Sequence, residues 1–410
     1  MAATDAFSNE RNNAHLAFAA LLVLYFVTPF ANATQIIGGL QLDELAAVGA
    51  LAGALYSCYR RPFVRVPNTP ILLFFGFVVF QLVSLAWTAD LSRGMTRSLR
   101  FLFALAVVLI LWRSVAKRYL IHRLLQAYVM GATLTILAIF VNAITQTYAH
   151  GYRVGAMGYA PIDLGGVLAL ALPPAWYLGW HYRTLHPYLA LYNWLVIPFG
   201  MAAILLTGSR HSLVAAAFIV PYIGYSLYSQ PSIRVHLRSP FNVATGVVVS
   251  TGGVAGGLVL LPEYIRQRLY ELPHDIMMLD LTGRLPRWVV ATEILRNNPI
   301  VGAGVGSFPV LAEGRLLKLT SPPHPNYFVA DSFFAATASN LGLLGLGLII
   351  AMYYVTVRDA IRTWGNVNAL WVTLIGMWVI LAGLNTFGIQ MAAWLMFGLA
   401  WASLYRVENT

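Results

Sequence analysis

The stretch Phe333-Phe-Ala-Ala-Thr-Ala-Ser-Asn-Leu-Gly-Leu-Leu-Gly-Leu-Gly-Leu-Ile-Ile-Ala-Met-Tyr-Tyr-Val-Thr356 holds 24 residues without one charged side chain, and Arg358 and Asp359 close it. As a helix rising ~1.5 Å per residue it is long enough to cross a hydrocarbon core ~30 Å thick. Runs of the same kind recur on both sides of it. By their polar breaks they fall at 15–34, 40–58, 70–88, 97–113, 124–146, 162–180, 188–206, 212–229, 241–261, 333–356, 367–386 and 389–405. The second begins at Asp43 and Glu44 behind Gly38-Gly39, and the last two read as a helical hairpin broken near Asn385-Thr386-Phe387-Gly388. The expectation is an all-α polytopic membrane protein of about twelve transmembrane helices: nine spans within 1–261, a loop over 262–332 carrying short helices, and three spans within 333–410.

Composition agrees. Hydrophobic residues make up 59% of the 410 and charged residues only 10%, where an ordinary soluble domain is roughly 25% charged. A soluble globular enzyme and a single-pass protein are both excluded. The one cysteine, Cys58, leaves no intrachain disulfide and no cluster of thiolate metal ligands. The net charge of +11 is assigned to membrane topology and lipid head groups and not to nucleic acid, because cytoplasmic loops of multispan proteins collect lysine and arginine. With the N-terminus inside, short inner loops hold Arg60, Arg61 and Arg65, then Arg113, Lys117, Arg118 and Arg123, then Arg183, Arg234, Arg238, Arg358 and Arg362; outer loops hold Arg93, Arg97, Arg153 and Arg210. Both termini are thereby expected in the cytoplasm. The first run lacks a basic leading segment and reads as a retained helix.

One segment breaks the short-loop pattern. Pro262–Asp331 is about 70 residues long with six arginines and one lysine, and long loops escape the positive-inside rule. By the count it lies outside, which in a bacterial inner membrane is the periplasm. Helical spacing predicts a helix over 285–296, ended by Asn298-Pro299 and the glycines beyond. Gly302-Ala303-Gly304-Val305-Gly306 reads as a tight turn, since a phosphate loop needs a preceding strand and a lysine at set spacing.

Outward arginines need a reason. Snorkelling to head groups accounts for single ones at span ends, but arginine is also the side chain that grips phosphate oxygens with a two-pronged fork. Arg93, Arg97, Arg100, Arg153, Arg210, Arg284 and Arg287 lie near predicted outer boundaries. Arg210 stands in Thr207-Gly208-Ser209-Arg210-His211, a tight turn between spans, and Thr282-Gly283-Arg284 repeats the small-small-Arg pattern, with Arg287 one helical turn on. Two such turns on one face could clamp a diphosphate. For a base titrating near neutrality the candidate is His324, in Ser321-Pro322-Pro323-His324-Pro325-Asn326-Tyr327, with His274 its rival and His150 and His211 also facing out. No cofactor is called for, and metal ligation has little support: no Asp-x-Asp stands on the outer face and no His-Glu-x-x-His anywhere.

These residues carry a resemblance. Thr282-Gly283-Arg284, Trp288 and Asn298-Pro299-Ile300-Val-Gly302-Ala-Gly304, followed by Gly342-Leu-Leu-Gly345-Leu346, resemble the signature of the O-antigen ligase and polymerase superfamily; Thr207-Gly208-Ser209-Arg210 is similar to its Thr-x-Ser-Arg, and Arg153 to Gly166, with Asp163, to a further family stretch. The resemblance covers roughly 150–350. It implies a membrane glycosyltransferase of GT-C-like architecture that moves a glycan from an undecaprenyl diphosphate carrier to an acceptor hydroxyl on the periplasmic side, the acceptor of a ligase being a lipid A-core sugar. Arg210 and Arg284 are then expected to bind the diphosphate and stabilise the leaving charge, His324 to take the acceptor's proton, Arg287, Arg153 and Asp163 to complete the diphosphate site, and Tyr327 to line the acceptor pocket. The family histidine usually lies about eleven residues before Gly342, and here that position is Asp331, with His324 seven residues earlier. Either His324 or Asp331 holds the role; two helical turns of offset favour His324.

Three acceptors fit the same chemistry: lipid A-core, the end of another carrier-linked glycan in a polymerase, or a protein side chain. A transporter or flippase is the reading from another class. It expects ionisable groups at mid-membrane, whereas here the span centres are nearly free of them and polar groups gather at the outer edge.

Overall fold

The structure is a computed structural model, and it describes residues 18–19, 21–29, 35–36, 40–41, 67–115, 118–145, 154–156, 160–229, 270, 284–319, 330–363, 365–385, 388 and 390–405. Within these residues the chain is a bundle of helices: α1 (Thr69–Val83), α2 (Leu91–Ser114), α3 (Arg118–Ile144), α4 (Pro161–Ala169), α5 (Leu172–Tyr182), α6 (Pro187–Thr207), α7 (Arg210–Ala217), α8 (Ile219–Tyr228), α9 (Leu285–Asn297), α10 (Phe308–Leu319), α11 (Phe333–Arg362), α12 (Asn366–Leu384) and α13 (Met391–Tyr405). A two-residue antiparallel pair, Gln35–Ile36 against Leu40–Gln41, precedes them.

Eight helices among the described residues are long and apolar enough to cross a membrane: Thr69–Trp87, Leu91–Ser114, Arg118–Ile144, Pro161–Tyr182, Pro187–Thr207, Arg210–Tyr228, Phe333–Arg362 and Asn366–Leu384. Each overlaps a run picked out by composition. The expected span at 15–34 is described only in part, with helix at 21–27. The spans at 40–58, beyond Leu40–Gln41, and 241–261 lie outside the described residues. The run at 389–405 differs in kind. Helix α13 has 15 residues, about 22 Å at 1.5 Å each, short of a full crossing.

Local chemistry sets most helix ends. The Asn68 side chain caps α1 by accepting from the Ile71 N–H at 3.2 Å, Asp90 caps α2 through the Arg93 N–H at 2.9 Å, and Ser332 caps α11 through the Ala335 N–H at 3.3 Å. Pro173 and Pro174 lack N–H donors, and there α4 gives way to α5; Pro221 does the same between α7 and α8.

Helix α13 is buried along its length, from Ala392 to Ala402, as a helix apolar on every side must be. It packs on α2, α11 and α12. Phe74 of α1 stacks on Trp394 at 4.2 Å between ring centres, and Trp378 of α12 meets Phe397 edge-on at 5.4 Å. The buried indoles find partners where they can: Trp394 Nε1 donates to the Gly388 carbonyl and Trp401 Nε1 to Thr356 Oγ1, both at 2.9 Å. Lipid is as apolar as these side chains, so close packing and such bonds hold the helices together.

Helix α11 is broken once. Gly342 has φ 66° and ψ −166°, so the helical bonding pattern fails on both sides of it. The segment 298–307 repairs the failure. The Ser339 and Asn340 carbonyls accept from the Ala303 and Gly304 N–H groups at 3.0 and 2.8 Å, while the Leu343 and Leu344 N–H groups donate to the Pro299 and Ile300 carbonyls at 2.8 and 3.1 Å. Non-helical backbone at this depth is tolerable because protein, not lipid, surrounds it. The expected tight turn at 302–306 is present, with Gly302, Gly304 and Gly306 all at positive φ. Its far side presses on the α1–α2 corner. Thr88 Oγ1 donates to the Val305 carbonyl at 2.6 Å, the Val305 N–H to Ser84 Oγ at 3.2 Å, and the Ala89 N–H to Ser307 Oγ at 2.8 Å.

The helix expected over 285–296 is α9, Leu285–Asn297. Val290, Ala291 and Ile294 of α9 pack with Phe308, Ala312 and Leu316 of α10 and with Ala336 of α11 in a small second core. A Cβ on Gly304 would lie 2.6 Å from Thr88 Cα. Gly304→Ala should therefore destabilise the protein by about 1–3 kcal/mol, read as an earlier thermal transition in detergent. Gly347→Ala, with open space around it, should move the transition by no more than about 0.5 kcal/mol.

Candidate functional site

The predicted site residues that the structure describes come from the same end of the bundle. Arg210 opens α7 directly after the turn that closes α6. Gly208 caps α6 in the left-handed conformation at φ 60°, which a side chain would resist. Ser209 Oγ lies 2.6 Å from Ser212 Oγ and 3.3 Å from His211 Nε2, and Ser212 Oγ donates to the Ile162 carbonyl at 3.4 Å. A Cβ on Gly165 would meet Ser212 Oγ at 2.7 Å. The Arg210 turn is thus seated on the first turn of α4, where Asp163 stands. His211, expected to face outward, is buried in this packing at 5% exposure.

Asp163 is tied onward. Its Oδ1 accepts from Asn385 Nδ2 at 2.9 Å, and the Asn385 carbonyl accepts the Phe333 N–H at 3.0 Å. One residue before the Ser332 cap is Asp331, in the left-handed region at φ 46°, a conformation uncommon for a residue with a Cβ. Its carboxylate pairs with the guanidinium of Arg287 on α9. Arg287 is buried, at 9% exposure.

Arg284 precedes α9 by one residue and stands a turn before Arg287. Burial lowers its pKa from the ordinary arginine value, the mark of a cation that has lost water and gains correspondingly from an anion. The path from the Arg210 turn through Asp163, Asn385, Phe333 and Asp331 to Arg287 and Arg284 is continuous. It joins segments distant in sequence around the adjoining ends of α4, α7, α9, α11 and α12.

Three predicted site residues, Arg153, His324 and Tyr327, lie outside the described residues, as do His150 and His274. Asp331 is described, and its carboxylate is engaged by Arg287. Among the described residues no three His, Cys, Asp or Glu side chains gather into a group that could hold a metal ion. Asn385 was not singled out for the site by its sequence; the only signal was that the expected break of the last hairpin begins at it. Chemically a guanidinium can grip an anion with its two-pronged fork, and the arrangement brings the Arg210 turn and the Arg284 end of α9 to one end of the bundle.

The Arg287–Asp331 pair generates a prediction. Removing one partner of a largely buried pair strands the other charge. In a double-mutant cycle, Arg287→Ala and Asp331→Ala should show a coupling of about 1–3 kcal/mol in unfolding free energy, with each single variant less stable than the parent. No family model matches the chain, and no curated protein matches it.

Proposed function

We propose that the chain is a membrane glycosyltransferase of the O-antigen ligase type. It moves a glycan from undecaprenyl diphosphate to a lipid A-core sugar hydroxyl at the periplasmic face of a bacterial inner membrane, with about twelve spans in a GT-C-like arrangement and both termini in the cytoplasm. The observation that carries this reading is the linked rim of Arg210, Asp163, Asn385, Asp331, Arg287 and Arg284, in which the motif residues of separate segments share one end of the bundle.

The reaction follows from the residues. The acceptor hydroxyl oxygen attacks the anomeric carbon, the bond from that carbon to the diphosphate oxygen breaks, and the carrier diphosphate leaves with the electron pair. The energy is that of the glycosyl diphosphate bond, so no nucleotide is consumed. Arg210 and Arg284 neutralise the charge growing on the leaving diphosphate, and Arg153 assists them. His324 takes the acceptor's proton, with Tyr327 beside the acceptor. Asp331 positions Arg287 and is not the base; its engagement by Arg287 supports His324 in that role. Asp163, held by Asn385, positions the α4 turn on which the Arg210 turn rests.

Purified protein in detergent with excess chelator, given carrier-linked glycan and lipid A-core, should transfer the glycan. His324→Ala should slow transfer by about 10²-fold or more, Arg210→Ala and Arg284→Ala by about 10²–10³-fold, and Asp331→Asn far less. Full transfer by His324→Ala would sink the assignment of the base. No transfer to lipid A-core, with the carrier bound, would redirect the reading to a polymerase or a protein-modifying enzyme.

A further inference from the structure

A second anion-seeking pocket lies on the other flank of α11. Arg97 of α2 lines it together with Gln81 of α1 and Thr337 of α11, and the aromatic walls are Phe77, Phe101 and Phe333. Gln81 is 3% exposed and Thr337 is 5% exposed. Gln81 Oε1 is buried without a hydrogen-bond partner. No bond to another described residue is made by the Arg97 guanidinium or the Thr337 hydroxyl either. A buried amide oxygen without a partner, beside a hydroxyl and a guanidinium in the same apolar recess, marks a polar site, since buried polar groups are nearly always paired.

The charge around the pocket is one-sided. Arg93, Arg97 and Arg100 fall at i, i+4 and i+7 on α2, so they lie along one face and repel each other. Arg93 and Arg100 are exposed, and Arg93 is paired with Asp90 at 3.3 Å. Arg97 is the one drawn inward, and among the described residues no acid lines its pocket. An oxyanion there relieves the repulsion, takes the Arg97 fork and accepts from Thr337. A protonated or hydroxyl-bearing ligand also satisfies Gln81 Oε1.

We infer that this pocket binds the phosphate of a membrane lipid whose head group carries a hydroxyl. The recess has room for little more than one water-sized group, about 20 Å³, so a phosphate oxygen enters it while the rest of the head group stays at its mouth, and the exposed Arg93 and Arg100 draw the anion in from the membrane surface. Its lining includes none of Arg210, Arg284 and Arg287, so the inference does not rest on the transfer reaction.

The test uses the full chain in dodecyl maltoside, which contains no phosphate, with calorimetric titration of dihexanoylphosphatidylglycerol, dihexanoylglycerol and inorganic phosphate. The phospholipid is expected to bind the parent saturably and Arg97→Gln about tenfold or more weakly. Thr337→Val should weaken binding by a smaller factor and serves as the second variant if Arg97→Gln does not fold. Arg284→Ala, placed in the diphosphate site, should leave this binding unchanged. Equal binding of neutral dihexanoylglycerol, or no loss in either pocket variant, overturns the phosphate site; equal binding of inorganic phosphate overturns its assignment to a lipid.

Discussion

This end of the bundle depends on four backbone hydrogen bonds between the turn at 299–304 and the break at Gly342. A helix interrupted in an apolar setting strands carbonyls on one side and N–H groups on the other, each costing several kcal/mol if left unpaired. The turn supplies partners for both. Its far side then bonds to Ser84 and Thr88, so a single short segment clamps α11 to the corner between α1 and α2. Glycine is required on this path because backbone must meet backbone: a Cβ on Gly306 would lie 2.6 Å from the Gly94 nitrogen.

The clamp also places the chemistry. With α11 anchored, its first turn presents Asp331 to Arg287 on α9, and the Phe333 N–H to Asn385 at the end of α12. Asn385 in turn holds Asp163. The cationic rim is therefore built on helix ends, where the chain leaves regular structure and side chains can converge. The pocket around Arg97 is on the same helix end but across α11, with Val305 of the turn and Phe333 among its lining residues. The rim and this pocket thus meet at Phe333.

Much of this was legible in the sequence. Runs poor in charge marked the eight spanning stretches among the described residues, because burying or solvating a charge in lipid is too costly to be hidden. Thr207-Gly208-Ser209-Arg210 announced its turn through small residues, and the glycines of 302–306 announced theirs. Helix α13 was read as a span from its apolar composition, which does not distinguish a lipid-facing helix from one enclosed by protein; its described residues are buried in the bundle. The break at Gly342 was masked by its neighbours, since Gly345 and Gly347 lie in the same run and stay helical. The pairing of Asp331 with Arg287 is a tertiary fact with no local pattern. Asn385 reads as a mere hairpin break until the ends of α4 and α12 are seen to adjoin.

The clamp has a bearing on how the protein is made. Thr88 and Val305 are 217 residues apart, so a chain emerging N-terminus first inserts α1 and α2 long before the turn that fills their corner exists. Ser84 and Thr88 keep only their local bonds to Gln81 and Asp90, and the Ala89 N–H waits for Ser307, until residues 298–307 arrive; the turn itself is not secured until α11 follows. Assembly of this end of the bundle therefore closes in one late step. A chain truncated before α11 keeps an unfilled polar notch among its apolar helices, a visible badge of incompleteness for the proteases that survey newly inserted membrane proteins.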